Sequence, residues 1–264
     1  MMKLSRSFLI ISALLASLPM VSATRAQQMV SPKPENIVRQ MCDYLKSLHQ
    51  FSYRADVTYD APDATGKNIQ RTFKMETSVQ RPDRLRVDAQ GDDVNKQFFF
   101  DGKTITLYDK TDKVYATMEV PPDIEGALEK AHTDFNLRVA LTDLTSPRLY
   151  ELLAKHLPGA RNVGLEKVRG SSCHHLVFDE KNVKLQLWVD AGGKPLPRKV
   201  VITEKAAPQP LQWTALLDAW KTSPKLDDSL FVFAVPSGVH RIKFLPAQTS
   251  AASGQPAAPD KTRR

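Results

Sequence analysis

Residues 98 to 116, FFFDGKTITLYDKTDKVYA, alternate apolar and polar side chains between two tight turns. Asp101-Gly102 supplies the first turn and Asp109 to Lys113 the second. The stretch therefore predicts three antiparallel strands with one buried face. The same period of two runs through Phe51, Tyr53, Ala55, Val57 and Tyr59, through Phe73, Met75, Thr77 and Val79, and through Leu85 and Val87. Ahead of these strands the period is 3.6. Ile37, Val38, Met41, Tyr44, Leu45 and Leu48 form one stripe, which predicts a helix over 35–49.

The helical period returns in the middle of the chain. Ile124, Ala127, Leu128 and Ala131 share one face, as do Leu137, Ala140, Leu141 and Leu144, and then Leu149, Leu152, Leu153 and His156. Three short amphipathic helices are expected, broken near Asp134 and Pro147. Strands resume over 161–168, 173–178, 184–190, 197–204 and 211–220, and the runs 230–234 and 239–244 are expected to close the domain. That makes ten or eleven strands, with one helix before them and a helical group between two sheet halves. Each helix needs an apolar surface, and the sheet offers one. A strongly twisted antiparallel sheet wrapped around the helices satisfies both, so the expected class is mainly β within α+β.

The two ends of the chain read differently. Lys3 and Arg6 precede an apolar run from Phe8 to Leu18, stopped by Pro19, and small residues follow at Ala23 and Ala26. This is the layout of a secretory signal peptide over 1–26, and its apolar run is too short to span a bilayer. No cysteine lies near either cleavage position, so a lipid anchor there is not expected. A polar lead-in covers 27–34. Residues 247–264 are rich in Ala, Ser, Pro and Lys, and they read as a disordered tail. One domain over 35–246 remains. The formal charge is +8, and the signal contributes Lys3, Arg6 and Arg25 to it. The other basic residues are interspersed with acids, so a nucleic-acid partner is not expected. No later run reaches transmembrane length.

Candidate chemistry is sparse. The sequence has no GxSxG, HExxH, Walker A or GxGxxG motif. In Cys173-His174-His175, alternation puts Cys173 and His175 on one face. Two ligands do not make a metal site, and the other histidines have no ligand spacing. A nucleophilic Cys173 would need an orienting group and an oxyanion site that the sequence does not supply. No catalytic residue, metal or cofactor is expected. Cys42 and Cys173 are the only cysteines. In an oxidising compartment they are a candidate disulfide, with two buried thiols as the alternative.

The stretches RPDRLRVDAQGD (81–92), FFFDGKTITLYDKTDKVYA (98–116), CHHLVF (173–178), KPLPRKVVIT (194–203) and LDDSLFVFAVPSGVHRIKFLP (226–246) resemble an uncharacterised family of predicted periplasmic bacterial proteins. That family is similar in fold to the lipoprotein carriers LolA and LolB. The resemblance implies an open antiparallel half-barrel whose concave face is covered by helices and can shelter acyl chains. It carries over no catalytic residue. LolB-type receptors are lipid-anchored, so a soluble LolA-like state is the better match.

With that architecture, Phe73, Met75, Leu85, Val87, Phe98, Phe100, Ile105 and Leu107 are expected to line the concave face, with Leu128, Leu141 and Leu153 covering them. Aromatics exposed near strand ends would face acyl chain. The function expected is a soluble periplasmic binding protein for lipid acyl chains or a lipidated protein. The alternative is an envelope protein-interaction or sensor domain on the same scaffold. The apolar pattern is equally that of a filled core whose helices never leave it.

Overall fold

The computed structural model describes residues 31–206 and 210–247. The expected signal peptide, half of the lead-in and all but the first residue of the expected tail lie outside the described residues. Helix α1 spans Pro34–Ser47. Pro34 is pre-set for the first helical turn, and Glu35 sits where the helix dipole favours an acid. Its apolar stripe is buried except for half-buried Tyr44, and Cys42 joins it. Twelve strands follow, with one long helical interruption and a short 3-10 turn before the last strand. β1 (Gln50–Pro62), β2 (Asn68–Gln80), β3 (Arg84–Gly91), β4 (Asn95–Phe100), β5 (Thr104–Asp109) and β6 (Val114–Glu119) form one antiparallel meander. The interruption holds α2 (Ile124–Phe135), a 3-10 turn at Thr142–Thr145, α3 (Leu149–Ala154) and a second 3-10 turn at Leu157–Gly159. β7 (Ala160–Val168), β8 (Ser171–Asp179), β9 (Val183–Asp190), β10 (Pro197–Glu204) and β11 (Leu211–Lys221) form a second meander.

A last strand, β12, is only His240–Arg241 and runs parallel to β6. β1 pairs with β11, so both meanders lie in one open sheet, in the order β12-β6-β5-β4-β3-β2-β1-β11-β10-β9-β8-β7. One face of the sheet carries the main core. There α1, α2 and the middle segment pack on side chains from β1 to β5 and from β8 to β11. The turn at Asp101-Gly102 is built for glycine. Gly102 has φ +86°, and a Cβ there would stand 2.4 Å from the Arg84 guanidinium.

Three expectations need correction. Leu137, Ala140, Leu141 and Leu144 do not form a helix. Asn136 takes a left-handed conformation and ends α2, and Leu141 is left-handed too, so the chain between them is not helical. The run 230–234 is not a strand. It begins within a 3-10 turn at Asp228–Phe231 and continues as a strap across the face opposite the helices. The run 239–244 contributes only the two residues of β12.

The candidate disulfide is also absent, because Cys42 and Cys173 are both free and buried. Cys42 belongs to the helix-covered core, whereas Cys173 packs with Val168, Trp188 and Val201 on the other face, and the sheet lies between them. Burial pushes the Cys42 thiol up to about 12 and the Cys173 thiol up to about 11. Neither is a thiolate at neutral pH, so neither is reactive. Native protein treated with iodoacetamide is therefore expected to stay unmodified. Denatured protein without reductant should take up two carbamidomethyl groups by mass. A denatured chain that takes up none would restore the bridge.

Candidate functional site

The register of the first meander sets the proposed face side by side. Leu85 faces Phe100, Phe100 faces Ile105, Val87 faces Phe98, and Phe98 faces Leu107. Met75 and Phe73 continue the patch on β2. Leu128 of α2, Leu141 of the middle segment and Leu153 of α3 pack against the same core. All eleven side chains therefore meet in one cluster. They are not equally covered. Met75, Leu85, Val87, Phe98, Phe100 and Ile105 are buried, while Phe73, Leu107 and the three covering leucines are half-buried. In this closed arrangement the face is filled. A cleft of about 470 Å³ lies between α1 and the β9–β10 turn, and one of about 260 Å³ lies beneath the strap; none of the eleven residues lines either.

Burial is graded along the strands. On β1, Phe51, Tyr53, Ala55 and Val57 are buried, and Tyr59 is not. On β2, Val79, Thr77 and Met75 are buried, Phe73 is half-buried and Ile69 is 40% exposed. On β11 and β10, Ala215 and Val200 give way to half-buried Trp213 and to Ile202 at 38% exposure. Tyr59 faces Trp213, Trp213 faces Ile202, and Tyr59 meets Phe73 edge-on at 5.8 Å. The helix-covered face thus becomes exposed at the β1–β2 hairpin end, in a rim, or mouth, of five largely apolar side chains with Arg71 opposite Tyr59. The Tyr59 hydroxyl donates to Asp93, which also pairs with Arg71 at 3.4 Å. Burial, then the Asp93 carboxylate, push the Tyr59 phenol above its usual range, so it stays a neutral donor at the rim.

The covering pieces are held unequally. α1 buries Ile37, Val38, Met41 and Leu45. α2 buries only Ile124, Ala127 and Ala131, and α3 only Leu149. α3 rests on α1 through polar contacts, with the Arg39 guanidinium over the Tyr150 ring at 4.1 Å and the Tyr150 hydroxyl donating to Glu35 at 3.2 Å. Arg81 is the pin of this arrangement. It donates to the carbonyls of Leu45 and Leu48 at the end of α1, and to that of Thr145 in the middle segment, at 3.3, 3.0 and 2.5 Å.

The other face carries two clusters that alternation alone does not reveal. Phe233 of the strap sits among Phe99, Tyr108 and Tyr115, with ring centroids 5.1 to 5.3 Å away. The unbroken run Phe98-Phe99-Phe100 is the sequence trace of this second buried surface. On β7 to β10, His175 stacks on Trp188 at 4.0 Å and contacts Glu166 at 3.0 Å, and Glu166 accepts from the Trp188 indole at 2.8 Å. His175 and Cys173 are thus packing residues of a satellite core. Among the described residues no group of three or more His, Cys, Asp or Glu is placed to hold a metal ion, and no helix is long and apolar enough to cross a membrane.

A family described as "Predicted periplasmic protein (DUF2092)" matches residues 34–245. No curated protein matches the sequence. Solved structures that resemble this one share little sequence. An uncharacterized conserved protein from Thermus thermophilus is 9% identical, with 79% of this chain and 98% of that chain covered and a TM-score of 0.46. The lipoprotein LppX of Mycobacterium tuberculosis is 15% identical, with coverage of 73% and 97% and a TM-score of 0.45. A LolA superfamily protein from Nitrosomonas europaea is 12% identical, with coverage of 77% and 99% and a TM-score of 0.38.

Proposed function

The chain belongs to the family of predicted periplasmic proteins DUF2092, and on that footing we propose that it is a soluble periplasmic carrier, sheltering a lipid or the acyl chains of a lipidated protein on the helix-covered face. The apolar mouth carries this reading. Tyr59, Phe73 and Trp213 are half-buried where the face meets water, and Ile69 and Ile202 are more exposed still. A core closed for stability alone gains nothing from a half-wet aromatic rim, whereas an acyl chain entering there finds apolar contact before the cover moves. The cover is suited to moving, because α2 and α3 bury little surface of their own. Each methylene buried contributes about 0.8 kcal/mol, so a dozen give roughly 10 kcal/mol gross. Association costs of about 4–15 kcal/mol oppose this, which leaves a modest affinity suited to handover.

Trp213 is a built-in reporter. Phosphatidylglycerol vesicles with brominated acyl chains are expected to quench its fluorescence, and Trp213→Phe should remove most of the quenched signal. Native mass spectrometry of the re-isolated protein should show one lipid per chain. A protein that is neither quenched nor loaded would overturn the carrier reading.

An envelope-protein partner is the second reading, and β7 favours it. β7 ends the sheet with its outer edge unpaired among the described residues, and Leu165 on it is 61% exposed. Cross-linking from position 165 in cell envelopes would distinguish a strand-adding partner from none.

A further inference from the structure

α2 is fastened at its two ends rather than along its length. At the start, the Ile124 amide donates to the Pro82 carbonyl at 3.0 Å, and Asp123 caps the first turn through the Gly126 amide at 2.8 Å. Between the ends it buries one isoleucine and two alanines. At the finish it is held by the chain's last described segment. The Phe244 ring lies on Phe135 at 5.2 Å, and the Ala247 amide donates to the Asp134 carbonyl at 2.8 Å.

That segment is itself well anchored at the edge of the sheet. The His240 and Ile242 amides donate to the carbonyls of Lys113, just before β6, and of Tyr115 on β6, at 2.9 and 2.8 Å. Upstream, Phe233 is seated among three aromatic rings, and Arg86 donates to the Leu230 carbonyl at 3.1 Å. The chain therefore starts from a fixed point on one face, passes the β6 edge and ends on the loose end of the cover on the other. Between β12 and Ala247 only Phe244 is tucked in, and Leu245 is 82% exposed.

We propose that residues 240–247 are a latch for α2. With Phe244 off Phe135, the helix swings on its Asp123–Ile124 end and bares the face that Leu128 covers. The use of this motion rests on the carrier reading; the latch itself does not.

Hydrogen exchange of the full exported chain, read by mass spectrometry, tests the latch without any ligand. Phe244→Ala and Phe135→Ala should each speed exchange of the α2 amides about tenfold. The double variant should be no faster than either single one, because both remove the same contact. Amides of β1 to β5 should keep their protection in all three, and Leu245→Ala should behave as the parent. Unchanged α2 exchange in Phe244→Ala would overturn the latch, and so would an equal loss of protection across the sheet. The brominated vesicles then separate the two ideas. Faster quenching of Trp213 in Phe244→Ala supports both. A loosened α2 with no quenching in any variant keeps the latch and sinks the carrier.

Discussion

Replacing Phe100 by glutamate is expected to abolish cooperative folding, whereas leucine at the same position lowers the thermal midpoint by only a few degrees. Phe100 is 1% exposed and lies between Leu85 and Ile105 on neighbouring strands, both fully buried. Its ring faces the helix-covered core, and the side chains paired with it on both neighbouring strands are aliphatic and offer a carboxylate no cation. An unpaired buried charge costs several kcal/mol, against about 5–15 kcal/mol of total stability. Phe100→Leu keeps the site apolar and loses part of a ring, at about 1 kcal/mol. In a domain of this size that moves the midpoint by about 2–4 °C. Thermal unfolding followed by circular dichroism separates the two variants. A glutamate variant that melts as sharply and as high as the parent would show that water already reaches this part of the face.

Arg81→Met is expected to destabilise the fold by about 2–4 kcal/mol, with Arg81→Lys recovering part of the loss. The guanidinium satisfies two carbonyls at the end of α1, where the helix dipole favours a cation, and one in the middle segment. It also stands over the Phe51 ring at 5.5 Å. Burial lowers its pKa, yet an arginine remains charged throughout the working range, so the contribution does not titrate away near neutrality. Methionine fills the stem's volume and leaves all three carbonyls without this donor. Lysine keeps the charge and reaches fewer of them. Urea unfolding measures the loss, and hydrogen exchange should show residues 142–154 loosened first. A loss under about 1 kcal/mol would mean that water replaces the guanidinium freely.

Strands and turns were legible because period-two alternation is a direct image of a sheet with one covered face, and Gly102 and Lys113 take the positive φ that their turns require. α1 was legible for the same reason in the helical period. The spacing of Leu137, Ala140, Leu141 and Leu144 misled because periodicity is blind to a single left-handed residue. Asn136 ends the preceding helix, and Leu141 adopts a conformation its side chain disfavours. Residues 230–234, Leu-Phe-Val-Phe-Ala, are a short apolar run of strand length, but no neighbouring strand edge receives them, and Phe231 and Phe233 pack as a strap instead. Arg81 gave no signal, since its partners are main-chain carbonyls from residues distant in sequence. The eight strand residues of the face were read from alternation, and Leu128, Leu141 and Leu153 from the helical period. The graded exposure that turns one end of their face into a mouth depends on where the helices stop, which no local pattern encodes.

Thr58 of β1 faces Thr214 of β11, so the central seam of the sheet joins strands from nearly opposite ends of the domain. Each meander closes through short turns and can form early, but the seam must wait for a very long loop to close. During export from the N-terminus, β1 emerges second, after α1, and its partner comes out second to last among the strands. Through that interval β1 is an unpaired edge beside an apolar face, the arrangement that templates association between chains. The fold therefore becomes safe from its own kind only when nearly the whole chain has crossed. A translocation stalled before Leu211 is expected to leave an aggregation-prone fragment rather than a smaller working domain.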